Sequence, residues 1–227
     1  MGLLNDTRLE ALLERLHERS TAQNEGVISY VMKRVSEGTL DWNGFDDDMH
    51  SFMSDKLIAL DRDKAELCYQ LCRALRARRV VEAGTSYGVS TLYLAAAVRD
   101  NIRRDGGTGV VIGTEHEAEK AKAARAHFAE AGLSELIDLR EGDLRQTLRD
   151  VGGPVDFMLI DIWTPMARPA LELVAPRLRP GAIVVCDNTA QFREAYHDYL
   201  EFISDPKNGL RTATLPFEGG LELTVRD

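Results

Sequence analysis

The stretch Val80–Ser90, which reads VVEAGTSYGVS, decides the fold. A short β-branched run leads to the acidic Glu82, turns through Gly84 and Gly88, and opens into a helical pattern at Val89–Val98. This order predicts a strand–turn–helix unit, which commonly binds an anionic ligand group at the helix N-terminus. The glycines allow backbone and ligand to approach closely because they carry no Cβ.

Glu82 narrows the class of ligand. A carboxylate inside the turn repels a pyrophosphate and suits a ligand with a positive or hydrogen-bond-donating part, such as an amino-acid ammonium group. The spacing E-x-G-x-x-x-G also departs from the dinucleotide pattern G-x-G-x-x-G. An ordinary tight turn between strand and helix, without a ligand, is the alternative that this spacing leaves open.

From Val80 onward, strand patterns alternate with helical patterns. The strand candidates are Val80–Ala83, Val110–Thr114, Leu136–Arg140, Val155–Ile160 and Ala182–Cys186, and the helix candidates are Val89–Val98, Glu117–Ala131, Leu144–Val151, Pro165–Leu178 and Gln191–Ile203. This alternation predicts an α/β fold with a parallel sheet, and the continuous apolar strands predict helices on both faces. The last two apolar segments, Arg211–Leu215 and Leu221–Arg226, predict a closing hairpin.

The first part of the chain is helical in pattern. The predicted helices are Asp6–Arg19, Gly26–Glu37 and Asp63–Leu75, with a Gly/Asp-rich loop at Gly38–Asp48. We therefore divide the chain into an N-terminal helical extension, residues 1–62, and an α/β domain, residues 63–227. Aromatic and apolar side chains of the extension either cover a ligand site as a lid or serve core packing or a dimer contact; they are Tyr30, Trp42, Phe52 and Met53.

Composition excludes several classes of protein. The net charge of −9 is spread along the chain, which argues against a nucleic-acid-binding surface. No apolar run reaches the roughly 18 residues that a membrane span requires. The three cysteines, Cys68, Cys72 and Cys186, are too few for a disulfide framework and lie in apolar patterns. They predict buried thiols and a reducing, cytoplasmic location.

Acidic residues follow the second and third predicted strands, at the sheet edge where α/β proteins bind ligands. Glu115 could accept hydrogen bonds from a ribose diol, and Asp143 lies where a base could bind. Each is equally well explained as a carboxylate that caps the next helix. The sequence leaves both interpretations open.

Three oxygen-bearing side chains follow the fourth and fifth strands. Asp161 ends the segment VDFMLID, and Asp187 and Asn188 end AIVVCDN. Neighbouring parallel strands lie about 4.8 Å apart, so these groups can converge on one hard cation such as Mg²⁺. The absence of Cys or His beside them argues against zinc. The pattern favours a metal site over separate helix caps.

With these motifs in order, the chain resembles a known family from about Phe52 to Asp227. It is similar to the class I S-adenosylmethionine-dependent O-methyltransferases of the divalent-metal catechol and caffeoyl-CoA type. The motifs that carry the resemblance are E-A-G-T-S-Y-G-V-S at 82–90, Glu115, G-D at 142–143, D-I-W at 161–163 and D-N at 187–188. The resemblance implies a Rossmann-like fold with a mostly parallel seven-stranded sheet and a C-terminal antiparallel hairpin.

The resemblance also implies roles for individual residues. The glycine turn would hold the methionine part of the cofactor, Glu115 the ribose hydroxyls, and Trp163 would flank the adenine. Asp161, Asp187 and Asn188 would bind Mg²⁺ or a similar cation. The full set of implied cofactor contacts is Glu82, Gly84, Thr85, Tyr87, Gly88, Ser90, Glu115, Asp143, Asp161 and Trp163, with Ile58 and Leu60 above the cofactor.

One position departs from the family pattern. A lysine that acts as general base commonly stands where this chain has Thr164. A hydroxyl is too weakly basic to replace it at neutral pH. A metal beside Asp161 could acidify the substrate alone, or His50 or Lys56 could act as the base.

These observations predict an enzyme that transfers the methyl group of S-adenosylmethionine to a small acceptor with vicinal hydroxyls. A non-catalytic S-adenosylmethionine-binding protein is the alternative that the missing lysine supports. A nicotinamide-dependent oxidoreductase is disfavoured by the glycine spacing and by Glu82. The sequence leaves the acceptor and the oligomeric state open, a homodimer included.

Overall fold

Seven strands form one sheet in the computed structural model, which describes residues 2–39 and 47–227. In chain order they are β1 (Arg79–Ala83), β2 (Val110–Glu115), β3 (Ile137–Glu141), β4 (Val155–Ile160), β5 (Leu178–Asp187), β6 (Leu210–Leu215) and β7 (Leu221–Arg226). The spatial order is β3-β2-β1-β4-β5-β7-β6. Strand β7 runs antiparallel to β5 and β6, and the other pairs are parallel. The predicted mostly parallel sheet with a closing hairpin is confirmed.

Helices cover both faces of the sheet. They are α1 (Thr7–Ser36), α2 (Asp47–Met53), α3 (Arg62–Ala74), α4 (Val89–Asp105), α5 (Ala118–Ala131), α6 (Leu144–Thr147), α7 (Thr164–Val174) and α8 (His197–Ser204). Successive strand residues point to opposite faces. Accordingly, Val80 and Phe157 pack in one apolar cluster with α1, α3, α4 and α5, whereas Val81 and Met158 pack in the other with α6, α7 and α8.

The strand order places the site. From β1 the chain proceeds through β2 to β3 on one side, and β4 then returns to pair with β1 on the other. Ligands of open α/β sheets bind beyond the carboxyl ends of the strands at such a reversal. Here that position lies beyond the ends of β1 and β4.

The N-terminal helix differs from the prediction. The two helices predicted at Asp6–Arg19 and Gly26–Glu37 form one continuous helix, α1. A Cβ added at Gly26 would meet nothing within 4 Å. Glycine inside a helix costs only about 0.5–1 kcal/mol relative to alanine, which is too little to break a long helix.

The helix predicted at Gln191–Ile203 also begins later than expected. The backbone N–H groups of Ala190 and Gln191 both donate to the carbonyl of Gly219, at 3.0 and 2.8 Å. These bonds hold the chain against the turn between β6 and β7, so that α8 begins only at His197.

Asp6 anchors the start of α1. Its carboxylate accepts a hydrogen bond from the Leu9 N–H at 3.1 Å and lies 2.6 Å from the Arg99 guanidinium. Burial alone would raise the pKa of Asp6, but the Leu9 N–H and Arg99 together lower it below its ordinary value.

We expect Asp6→Ala to reduce the free energy of unfolding by about 1–2 kcal/mol, as loss of a helix cap does. Urea denaturation would measure this loss, and Asp6→Asn, which keeps the cap, should lose less. Because the pKa is lowered in the folded state, the contribution of Asp6 is present above its unfolded pKa of about 3.9 and disappears as pH falls through the folded value. Equal stability of Asp6→Ala and the parent at pH 7 would contradict this role.

In the part of the chain that the structure describes, every helix is too short or too polar to cross a membrane.

Candidate active site

Two glycines shape the turn between β1 and α4. Gly84 has φ +96° and Gly88 has φ +83°, conformations that side chains rarely adopt. A Cβ on Gly84 would lie 2.0 Å from the carbonyl oxygen of Asp161, and one on Gly88 would lie 2.4 Å from the ring of Phe128. The glycines therefore let the turn contact the loop after β4 and the helix α5.

Glu82 lies beneath this turn and is fully buried. Its carboxylate accepts hydrogen bonds from the hydroxyls of Thr85 at 2.9 Å, Ser90 at 2.7 Å and Thr91. Burial raises the pKa of Glu82, and the three hydroxyl donors oppose that rise. In this structure the predicted methionine-binding residues Glu82 and Ser90 bind each other, and they support the turn from below.

A short segment covers the turn from above. Leu57–Leu60, Gly84–Tyr87 and Asp161 line a cavity of about 10 Å³, close to the volume that one water requires. The Leu57 N–H donates to Gln23 at 2.9 Å and the Ala59 N–H to Ser20 at 3.0 Å, so α1 holds the segment in place. Ile58 and Leu60 thus line the cavity at the turn, and their predicted contact with the cofactor stays a prediction.

Glu115 ends β2 beside the turn. One carboxylate oxygen accepts the Ser86 N–H at 2.7 Å and the other accepts the Glu117 N–H at 2.8 Å. A carboxylate has about four lone-pair positions, so these two bonds fix the group and leave acceptor capacity for a diol. Glu115 thus anchors Glu117, the N-cap residue of α5, without capping the helix itself, and this role is compatible with ribose binding.

Asp143 has the geometry of a helix cap, one of the two roles that the sequence leaves open. It caps α6 by accepting the Arg145 N–H at 2.8 Å, and it forms an ion pair with the Arg145 guanidinium at 2.6 Å. The Arg145 side chain and N–H lower the pKa of Asp143. Asp143 is thus an ionised helix cap at the end of β3.

His50 lies near the carboxyl end of β2. Its Nε2 is 3.2 Å from a Glu117 carboxylate oxygen, and its ring centroid lies 6.4 Å from Trp163 and 6.5 Å from His116. His50 therefore lies beside the half-exposed Trp163, and it contacts Glu117 rather than a strand-end aspartate. Lys56, the other candidate base, pairs with Asp55.

Part of the predicted aromatic lid packs together. Tyr30 and Phe52 stack with ring centroids 3.8 Å apart, and the Met53 carbonyl accepts a hydrogen bond from Lys120 at 3.0 Å. Trp42 and most of the loop predicted at Gly38–Asp48 lie outside the described residues.

A buried lysine that sequence reasoning missed lies at the ends of β4 and β5. The side chain of Lys64, on α3, is only 1% exposed. Its Nζ lies 2.8 Å from Asp187 Oδ1 and 2.8 Å from Asp61 Oδ2. The other Asp187 oxygen, Oδ2, accepts a hydrogen bond from the Asn188 amide nitrogen at 3.0 Å.

Lys64 and the carboxylates at this edge of the sheet shift one another's pKa values. Burial and the neighbouring carboxylates of Asp187 and Glu82 raise the pKa of Asp161. Burial also raises the pKa of Asp187, against the effect of Lys64. Burial alone would lower the pKa of Lys64, but Asp187 and Asp61 raise it. Lys64 is therefore a charged ammonium group between the buried Asp187 and the exposed Asp61.

The predicted metal ligands do not fit a divalent ion in this arrangement. Carboxylate and amide oxygens would suit Mg²⁺. Here, however, an ammonium group lies against one oxygen of Asp187, and Asn188 presents its amide nitrogen to the other. Over residues 2–39 and 47–227, no group of three or more His, Cys, Asp or Glu side chains could hold a metal ion.

A second, larger cavity opens next to Asn188. Its volume is about 540 Å³, and Ala190, Gln191 and residues 214–220 of the β6–β7 hairpin line it. Gly219 separates it from Asn188, since a Cβ on Gly219 would lie 2.3 Å from Asn188 Oδ1.

Comparison with known proteins adds a family to this geometry. A methyltransferase-domain family model matches residues 81–189, from β1 to just past β5. The chain is 31% identical over 132 residues to a catechol O-methyltransferase of Mycobacterium tuberculosis, which covers 58% of this chain and 57% of that protein. The chain thus spans little more than half the length of this relative.

Two further proteins are similar over longer parts. A Mycolicibacterium smegmatis protein described as a “putative O-methyltransferase” is 30% identical over 154 residues, which cover 60% of this chain and 69% of that protein. The crystal structure of the O-methyltransferase TomG from Streptomyces achromogenes, in complex with SAM, has a TM-score of 0.66 at 23% identity and covers 78% of this chain and 85% of that one. The latter likeness concerns the fold.

Proposed function

The chain belongs to the S-adenosylmethionine-dependent O-methyltransferases, and from this premise we propose that it methylates a hydroxyl of a small catechol-like or vicinal-diol acceptor. The observation that carries the proposal is Glu115, which two backbone N–H groups fix at the end of β2 beside the glycine turn. A carboxylate in this position accepts hydrogen bonds from both ribose hydroxyls of the cofactor.

The remaining cofactor contacts follow from the same edge of the sheet. The turn from Gly84 to Gly88 would hold the methionine part, with Thr85 and Ser90 beneath it. Trp163 would flank the adenine ring of the cofactor, and Asp143 would lie near the same ring. The 10 Å³ cavity at the turn requires Leu57–Leu60 to move away as the cofactor enters.

Methyl transfer is an in-line displacement. The acceptor oxygen would attack the methyl carbon, the carbon–sulfur bond would break with its electron pair remaining on sulfur, and the proton of the acceptor hydroxyl would pass to solvent water. The products are a methyl ether and S-adenosylhomocysteine. Because the leaving group is already activated, most of the rate comes from positioning the two reactants. The 540 Å³ cavity beside Asn188 is the entry that we assign to the acceptor.

The predicted Mg²⁺ requirement stays a prediction, and the ion pair between Lys64 and Asp187 argues against it. The general base that would take the acceptor proton also stays a prediction, because His50 pairs with Glu117 and Lys56 pairs with Asp55. Asp161, at the end of β4, is the remaining carboxylate that the sequence assigned to catalysis.

Thr164 supports a second candidate, a protein that binds S-adenosylmethionine without transferring its methyl group. Incubation with S-adenosylmethionine and catechol, followed by mass spectrometry, separates the two. The catalytic proposal expects methylated catechol and S-adenosylhomocysteine in equal amounts. Tight cofactor binding without product from any vicinal diol supports the second candidate, and absence of cofactor binding contradicts both.

Glu115→Ala should weaken S-adenosylmethionine binding by about tenfold or more, since a hydrogen bond to a charged group contributes roughly 1.5–3 kcal/mol. Isothermal titration calorimetry measures the change. Glu119→Ala is the matched control, because this exposed glutamate of α5 pairs with Lys122 at the surface. Equal affinities of the two variants would refute the ribose-binding role.

A further inference from the structure

We propose that the Lys64 ammonium group is the resident cation of the carboxylates at the ends of β4 and β5, and that it excludes divalent metal ions from them. The inference concerns the edge where the proposed function places the acceptor, but it does not depend on methyl transfer. It assigns the positive charge of this edge to a side chain of the protein.

The first argument is the position of the ammonium group. Lys64 Nζ bridges Asp61, directly before α3, and Asp187, at the end of β5, at 2.8 Å in each case. Asp187 is itself only 4% exposed. An unpaired charge buried to this extent would be very unfavourable, whereas these groups neutralise each other. The ammonium thus already binds Asp187 Oδ1, one of the two oxygens that this carboxylate could offer to an ion.

The second argument is that Lys64 cannot easily withdraw. Its neighbours on α3, Ala65, Cys68 and Cys72, are at most 1% exposed and pack in the core between the helix and the sheet. The aliphatic stem of Lys64 is buried with them. Removing the ammonium from Asp187 would therefore require a side chain buried in the core to change its conformation.

The third argument is that the oxygens of Glu82 and the second oxygen of Asp187 already accept hydrogen bonds. Both oxygens of Glu82 already accept bonds from hydroxyls. Asp187 Oδ2 accepts the Asn188 amide N–H, so a metal at this oxygen would also require the Asn188 amide to turn over. A divalent ion near Asp187 must then displace a buried cation and rearrange an amide, and like charges at such distances repel strongly.

Mn²⁺ titration followed by electron paramagnetic resonance tests the proposal without turnover. We expect the parent protein to bind no more Mn²⁺ than Asp187→Asn. Lys64→Met, which keeps the length of the side chain and removes its charge, should bind Mn²⁺ about tenfold more tightly or better, because the repulsion is gone. This gain should vanish in the double variant Lys64→Met, Asp187→Asn. A purely structural role of Lys64 would produce no such gain.

Two outcomes overturn the proposal. The first is Mn²⁺ binding by the parent that Asp187→Asn abolishes, since a metal then coexists with Lys64. The second is a folded Lys64→Met that binds no more Mn²⁺ than the parent, since Lys64 is then not what excludes the metal. If Lys64→Met does not fold, Mn²⁺ binding by the parent that Asp187→Asn abolishes still overturns the proposal. Failure of methyl transfer would bear on the proposed function alone.

Discussion

Gly84→Ala is expected to lower the free energy of unfolding by about 3 kcal/mol or more, the sum of a strained positive φ and a steric clash. The added Cβ would lie 2.0 Å from the carbonyl oxygen of Asp161. Because this neighbour is backbone at the junction of β1 and β4, it cannot move aside as a flexible side chain would. Urea denaturation monitored by circular dichroism measures the loss.

Gly132→Ala is the matched control for this substitution. Gly132 has φ +68° at the end of α5, and an added Cβ would meet nothing within 4 Å. Its replacement should cost only the backbone strain, about 1–2 kcal/mol. S-adenosylmethionine affinity should fall in Gly84→Ala and remain unchanged in Gly132→Ala. Equal losses of stability in both variants would show that the contact with Asp161 does not matter.

Glu82→Ala should have a comparably large effect, about 3 kcal/mol or more, because it leaves a cavity and removes the acceptor of three buried hydroxyls. Those hydroxyls belong to Thr85, Ser90 and Thr91, on the turn and the first residues of α4. The turn should loosen as a result, and cofactor affinity should fall with it.

Glu222 offers a matched control on β7, three strands away from β1. It is 2% exposed on β7, and it accepts hydrogen bonds from the hydroxyls of Thr212 and Thr214. Glu222→Ala should destabilise the protein to a similar degree and leave the cofactor affinity of the folded protein unchanged. If calorimetry finds the same affinity in Glu82→Ala, the carboxylate supports the fold but not the binding site.

The sheet was accessible from sequence because its strands are continuous apolar runs. The predicted bounds of Val155–Ile160 match β4, whose residues pack on both faces. The break predicted near Gly26 was wrong, because one unhindered glycine inside a helix costs only about 0.5–1 kcal/mol.

Only part of the candidate site could be predicted from the sequence in this way. Glu115, Asp161 and Asp187 follow apolar strands, and parallel topology brings strand ends to one edge. Lys64 gave no such signal. With Asp61 three positions before it, it looks like a surface ion pair of a helix, and only the packing of α3 against the sheet buries it beside Asp187.

The hydrogen bonds from Leu57 and Ala59 to α1 have a kinetic consequence. The cavity at the glycine turn has room for about one water. We therefore expect cofactor entry at this turn to require Leu57–Leu60 to move and to break these two hydrogen bonds. Exchange of S-adenosylmethionine for its product would then be limited by the opening of this segment rather than by diffusion.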